Sequence, residues 1–289
     1  MVAAQDFVKD LQTLPSIPQV ALRAQQMLGD SDVSLREVAD VLALDPGISA
    51  RLCRLASSPL FAGSSADYTI QQAVLRIGGD ETRRLVATVA AMNAVPELPE
   101  PLSLLAFWRL GLGAAMAASR LSQDLGFDRA DEAYMAGLLH CMGEAVLAVN
   151  RPKLFVKAFQ ASQRNGVALH EALEDALGIA PAALTAELLR DWGVSGAIVE
   201  AVEHQHDPAE APSERLFSAI LFSAVRICHA LGLGLESEGD GDEAWEERIP
   251  QELRDRVERL GHADMTGYLL RQLQFMMNVE DLVRETFGC

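Results

Sequence analysis

Apolar residues recur at helical spacing along this chain, and no run alternates, which narrows the possible folds more than any other feature. In SLREVADVLAL (34–44), Leu35, Val38, Val41 and Leu42 fall on one stripe, and Ser34 and Glu37 stand at the spacing of a capping box. Asp45-Pro46-Gly47 interrupts the pattern, and ISARLCRLA resumes it as a second helix. A half-buried strand needs sustained alternation of apolar and polar residues, and none is found. The sequence predicts an all-α fold.

Two stretches punctuate that fold. VPELPEP (95–101) places three prolines between helical segments, and each removes a backbone donor. ESEGDGDEAWEE (236–247) is acidic and poor in apolar residues, which predicts a mobile, solvated loop. These breaks predict segments 1–97, 98–235 and 236–289, the last being the acidic loop and a helical extension. In that extension Leu269, Leu270, Leu273, Phe275, Met276, Met277 and Leu282 read as a core stripe. No internal repeat has a fixed period.

Charge and cysteine usage bound the function. The 289 residues carry a formal net charge of −17, so phosphate backbones are repelled and no nucleic-acid partner is expected. The densest arginines, Arg51, Arg54, Arg76, Arg83 and Arg84, lie among Asp45, Asp80 and Glu81 and read as a solvated helix face. The two helices across Asp45-Pro46-Gly47 look like a helix–turn–helix. The second offers only Arg51 and Arg54 and no set of base-reading Asn or Gln, so a packed hairpin is the expectation. Cys53, Cys141, Cys228 and Cys289 form no C-x-x-C pair, which points to a reducing compartment and to no thiolate zinc site. LLAFWRLGLGAAMAA (104–118) is short and contains Arg109, so it fails as a membrane span. With no apolar signal core in MVAAQDFVKD, a cytoplasmic protein is expected.

Few residues offer chemistry. Neither G-x-S-x-G nor a phosphate-binding G-x-x-x-x-G-K-[ST] loop occurs. Gly78-Gly79 reads as a loop with Asp80 as the following N-cap, and GLG at 111–113 reads as close helix packing. The stretch GLLHCMGEAVL (137–147) sets His140 within an apolar helical run, followed by Cys141. On one continuous helix His140 would share a face with Glu144, four residues on. His204 and His206 flank Gln205, and two positions along a helix turn them about 200° apart unless the helix ends at Asp207-Pro208.

In order along the chain, LPSIPQVALRAQQML, DPGISARLCRLASSPLF and TIQQAVLRIGGDETRRLV are followed by Phe107-Trp108, AGLLHCMGEAVL, LLRDWGV, AVEHQHDP and ALGLG. Over residues 7–235 this set resembles the HDOD family, bacterial signalling modules related to HD-type metal-dependent phosphohydrolases. The resemblance implies an N-terminal helical lobe and an HD-like helical lobe. It also implies a non-catalytic output in signal transduction or gene regulation, affecting motility, biofilm or stress responses near cyclic-di-GMP pathways.

An HD-type hydrolase holds a hard divalent ion with imidazoles and carboxylates from several helices, and the ion activates water against a phosphate ester. At the positions matching that ligand set stand Leu110, the pair His140-Cys141, Pro181, His204 with His206, and Val225. The expectation is therefore no catalytic residue, no metal and no cofactor. His140 is expected to be buried and bonded to a carboxylate or backbone group. A vestigial cleft of His140, Cys141, Glu144, His204 and His206, taking a small anion or nucleotide, is the functional alternative. Protein partners in a signalling pathway are expected, and the sequence sets no oligomeric state. The competing class is a divergent phosphodiesterase using His140, His204 and His206.

Overall fold

The structure is a computed structural model that describes residues 7, 18–30, 32–57, 68–95, 98–100, 102–234, 249–261 and 268. The acidic run at 236–247 and the apolar stripe at 269–282 lie outside the described residues. Among the described residues every regular element is a helix, so the fold is all-α. They fall into two compact units, one within Ser16–Ala94 and one within Val95–Met277.

The first unit comprises α1 (Gln19–Leu28), α2 (Leu35–Leu42), α3 (Pro46–Ser57), α4 (Ile70–Ile77) and α5 (Gly79–Ala94). Ser34 starts α2 through a reciprocal capping box: its Oγ accepts from Glu37 N–H at 3.3 Å, and its own N–H donates to the Glu37 carboxylate at 2.9 Å. Val38 and Leu42 of the α2 stripe are fully buried, while Leu35 and Val41 are half-buried. Asp45 Oδ1 accepts from the N–H groups of Gly47 and Ile48, so the Asp-Pro-Gly break doubles as the start of α3. Ile48, Leu52 and Leu55 then line the inner face of α3. α1 is stitched to α5 by polar contacts, because Gln25 donates to the Arg83 carbonyl and Arg83 donates to the Leu28 carbonyl. Asp80 is not the N-cap expected from sequence. α5 begins one residue earlier at Gly79, and Asp80 lies in its first turn, where its charge complements the helix dipole. Gly78, at φ +87°, makes the turn between α4 and α5 that other residues would resist.

The second unit is built around α6 (Leu104–Asp124), against which α7 (Ala130–Leu139) and α13 (Arg215–Ala230) pack. α8 (Met142–Asn150), α9 (Pro152–Asn165), α10 (Leu169–Leu177), α11 (Pro181–Asp191) and α12 (Gly196–Glu203) follow α7, and α14 (Gln251–Arg259) packs on α13. Phe107 and Trp108 anchor α6 in an edge-to-face pair with centroids 5.0 Å apart, and Trp108 is fully buried. Small residues bring α6 and α7 to backbone contact. A Cβ on Gly111 would lie 3.2 Å from the Leu138 carbonyl, and one on Gly137 only 2.5 Å from the backbone of Ala114 and Ala115. No described helix is long and apolar enough to cross a membrane.

The 137–147 stretch departs from its sequence reading. It is not one helix: α7 stops at Leu139, Cys141 turns with φ −101° and ψ 11°, and α8 starts at Met142. His140 and Glu144 therefore do not share a helix face. The break lets Gly143 press onto the first turn of α11, where a Cβ would lie 2.2 Å from the Pro181 carbonyl oxygen.

Candidate functional site

The break between α7 and α8 exposes backbone groups that a continuous helix would pair internally, and three side chains answer them. The His140 carbonyl accepts from Gln205 Nε2 at 3.1 Å, and Thr185 Oγ1 lies 3.3 Å from the same oxygen. Thr185 Oγ1 accepts from the Gly143 N–H at 2.9 Å and donates its single hydrogen to the nearer carbonyl, Pro181, also at 2.9 Å. The third is the His140 ring, whose Nδ1 lies 2.6 Å from the Gly137 carbonyl oxygen. A carbonyl only accepts, so Nδ1 carries the hydrogen and donates.

His140 is 5% exposed, Cys141 is buried, and Glu144 is half-buried in the first turn of α8 with its N–H donating to the Cys141 carbonyl. α12 ends at Glu203, so the helix-rotation argument for His204 and His206 does not apply. His204 is the C-cap, and His206 follows in the turn. The two still part company. His206 stacks on His170 of α10, with ring centroids 3.6 Å apart and planes within 5°. His204 lines a groove along α12, while Gln205 between them turns inward to His140. The structure thus joins the 137–147 and 201–208 motifs through Gln205.

Gln205 and His170 were invisible in the sequence. Gln205 sits between two more conspicuous residues. His170 belongs to an ordinary amphipathic helix, LHEALEDAL, and meets its partner 36 positions away.

The donor set fits no HD-type metal centre. Nδ1 of His140 donates to Gly137 and leaves only Nε2 as a ligating nitrogen, Cys141 stands in place of a bridging carboxylate, and Leu110, Pro181 and Val225 are buried apolar residues without a donor. Among the described residues no group of three or more His, Cys, Asp or Glu side chains is arranged to hold an ion. The Cys228 thiol, fully buried in α13, is pushed up in pKa by desolvation.

The groove along α12 has a volume of about 400 Å³. Arg190, Glu203 and His204 stand at one end, Val194 and Gly196 lie at the other, and Val199 lies between them. Its carboxylates are held in place. Arg190 bridges Glu187 and Glu203, joining α11 to α12. Glu200 accepts from the backbone N–H groups of Ser213 and, at 2.7 Å, Glu214. Pro212 forms part of the opposite wall.

Comparison with known proteins bears on both units. The model of the HDOD domain matches residues 14–208. The crystal structure of an HDOD domain protein of unknown function from Geobacter sulfurreducens is 26% identical, covers 98% of this chain and 97% of its own, and superposes with a TM-score of 0.83. A Shewanella amazonensis SB2B protein, provisionally assigned as a phosphohydrolase, is 24% identical over 99% of this chain and 97% of its own, with a TM-score of 0.72. An uncharacterized Treponema pallidum protein is 22% identical over 233 residues, which are 78% of this chain but 44% of that protein's length. This chain therefore spans less than half of that relative. With two thirds of its length matched by one domain family, in an all-helical fold shared with a solved member, the chain belongs to the HDOD family.

Proposed function

We propose that this protein is a non-catalytic signal-transduction module that works by binding other proteins. The observation that carries the reading is the His140–Gln205 hydrogen bond, together with Leu110, Pro181 and Val225 at the positions of missing ligands. A neutral amide bridges the α7–α8 break to a backbone carbonyl, whereas hydrolysis of a phosphate ester needs converging charged donors. The fold is retained as a scaffold whose surfaces carry the output, in the bacterial cytoplasm and near pathways that govern motility, biofilm or stress responses. The provisional phosphohydrolase assignment of the Shewanella protein concerns that protein; here Leu110, Cys141, Pro181 and Val225 stand at ligand positions, beside the retained His140, His204 and His206.

Metal analysis of the purified protein, combined with a phosphodiester hydrolysis assay, tests the reading. Expected are no stoichiometric transition metal and no turnover above the His140→Ala background. Stoichiometric Mn, Fe or Zn with turnover lost in His140→Ala would overturn it. A thermal-shift panel of cyclic nucleotides, cyclic-di-GMP included, tests the small-ligand branch.

A further inference from the structure

We infer that the groove along α12 binds an extended segment of a partner protein that carries one basic side chain. The inference rests on the protein-binding reading above and names the chemistry of the partner. The groove runs from Gly196, the first residue of α12, to His204, just past its last. Eight residues of helix give it a length of about 12 Å. An extended peptide covers that in about four residues, at about 3.3 Å each.

Charge decides which end takes which side chain. Around Arg190 and the α12 C-terminus stand Glu187, Glu200 and Glu203, three carboxylates against one guanidinium. The C-terminal dipole of α12 adds partial negative charge at the same end. The carboxylates are pre-positioned, Glu200 by two backbone N–H groups and Glu203 by Arg190, so ordering them costs a ligand little. A phosphate or carboxylate would meet repulsion there, whereas a Lys or Arg would be drawn in, and the imidazole of His204 gives a guanidinium a ring to stack on. The net charge of −17 speeds the approach of a basic segment.

The other end is apolar and open. Half-buried Val194 offers a surface for an aliphatic side chain, and a Cβ added at Gly196 would meet no atom within 4 Å. The groove therefore suits an apolar residue followed about three positions later by a basic one.

The test uses the full chain and two fluorescein-labelled hexapeptides, Ala-Leu-Ala-Ala-Arg-Ala and its twin with Glu in place of Arg. Fluorescence anisotropy should show saturable binding of the Arg peptide only, weakening as salt rises from about 50 to about 500 mM. Glu203→Lys should weaken it at least about tenfold, and so should Gly196→Trp, which fills the groove without touching a charge. Gly196→Trp keeps the test decisive if Glu203→Lys fails to fold. Glu258→Lys, an equal charge change on the exposed face of α14, should leave binding intact. Equal binding of both peptides, no saturable binding, or equal weakening by Glu258→Lys would overturn the inference. If the metal and hydrolysis assays stay negative while the peptide fails, the groove is wrong and the non-catalytic reading stands.

Discussion

Gln205 Nε2 donates to the carbonyl oxygen of His140 over 3.1 Å, bridging 65 positions of sequence at the point where the α7–α8 connection breaks. The amide cannot be turned around, since its oxygen would then face another oxygen. That leaves Gln205 Oε1 buried, with no hydrogen-bond donor in reach among the described residues. The bond to His140 stabilises the break, and the orphan oxygen opposes it.

This opposition makes the choice of substitution informative. Gln205→Ala removes the bond and leaves a hole, and is expected to cost about 2 kcal/mol. Gln205→Met keeps the volume and removes the unpaired oxygen along with the bond, so it should cost less, about 1 kcal/mol or under. Chemical denaturation of both variants measures the difference. A Met variant as destabilised as the Ala variant would show that the bond, lost in both, outweighs the packing that only Met keeps.

Thr185 is the second tie. Thr185→Val is nearly isosteric but strands the Gly143 N–H, buried against α11, without an acceptor. Leaving such a donor unmade costs about 1–3 kcal/mol, whereas Thr185→Ser keeps the hydroxyl and should lose about 1 kcal/mol for its missing methyl. Gly143→Ala should be at least as harmful as Thr185→Val, because its methyl would sit 2.2 Å from the Pro181 oxygen and force α8 away from α11. Equilibrium unfolding ranks the three, and a Gly143→Ala protein as stable as wild type would contradict the backbone contact.

The periodicity that made α2 and α3 legible is local: the stripe, the capping box at Ser34 and the Asp45 break all lie within a few residues of what they control. The break at His140-Cys141 was not legible, because every residue of GLLHCMGEAVL suits a continuous helix. What accompanies the break is tertiary, namely Gly137 held on α6 while Gly143 is held on α11. Those glycines looked like generic packing residues, and only the structure shows that each faces a different backbone. The same limit applies to His206, whose stacking on His170 has no local signature. Sequence comparison could find the missing ligands, since Cys141 and Pro181 are single-position facts. That the space is bridged by Gln205 is a fact about two helix ends.

Stability should fall at alkaline pH, with two groups responsible. Desolvation in the core holds the Cys228 thiol well above its ordinary range, and burial pushes the Tyr268 hydroxyl up to about 12. In both cases the folded protein keeps a proton that the unfolded chain releases, so the contribution is intact below the unfolded pKa and lost as pH rises past it. Each group then lowers stability by up to about 1.4 kcal/mol per pH unit, Cys228 from about pH 9 and Tyr268 from about pH 10 to 12. Denaturation midpoints across that range should flatten in Cys228→Ala at the lower end and in Tyr268→Phe at the upper. Unchanged slopes in both variants would place the alkaline loss elsewhere.

Arg129 joins the start of α7 to the start of α13, and its geometry separates charge from shape. Its guanidinium forms a two-pronged pair with Glu214 and lies over the rings of Phe127, at 4.6 Å, and Phe217, at 5.1 Å. Phe217 is fully buried, so the stacked face is shielded, while the Arg129 side chain keeps 30% of its surface in water and the ion pair alone is screened. Arg129→Lys preserves the charge but loses the planar fork and the stacking, so it should forfeit most of the stabilisation, about 1 kcal/mol. Arg129→Ala should cost somewhat more, about 2 kcal/mol, through lost cover on the two rings. Raising salt should narrow the gap between wild type and Glu214→Gln, which reports the ion pair, and leave the gap between Lys and Arg at 129 largely in place, because stacking is insensitive to ionic strength. Thermal denaturation at low and high salt reads both gaps. If Arg129→Lys proves as stable as wild type, charge alone holds the two helix starts together.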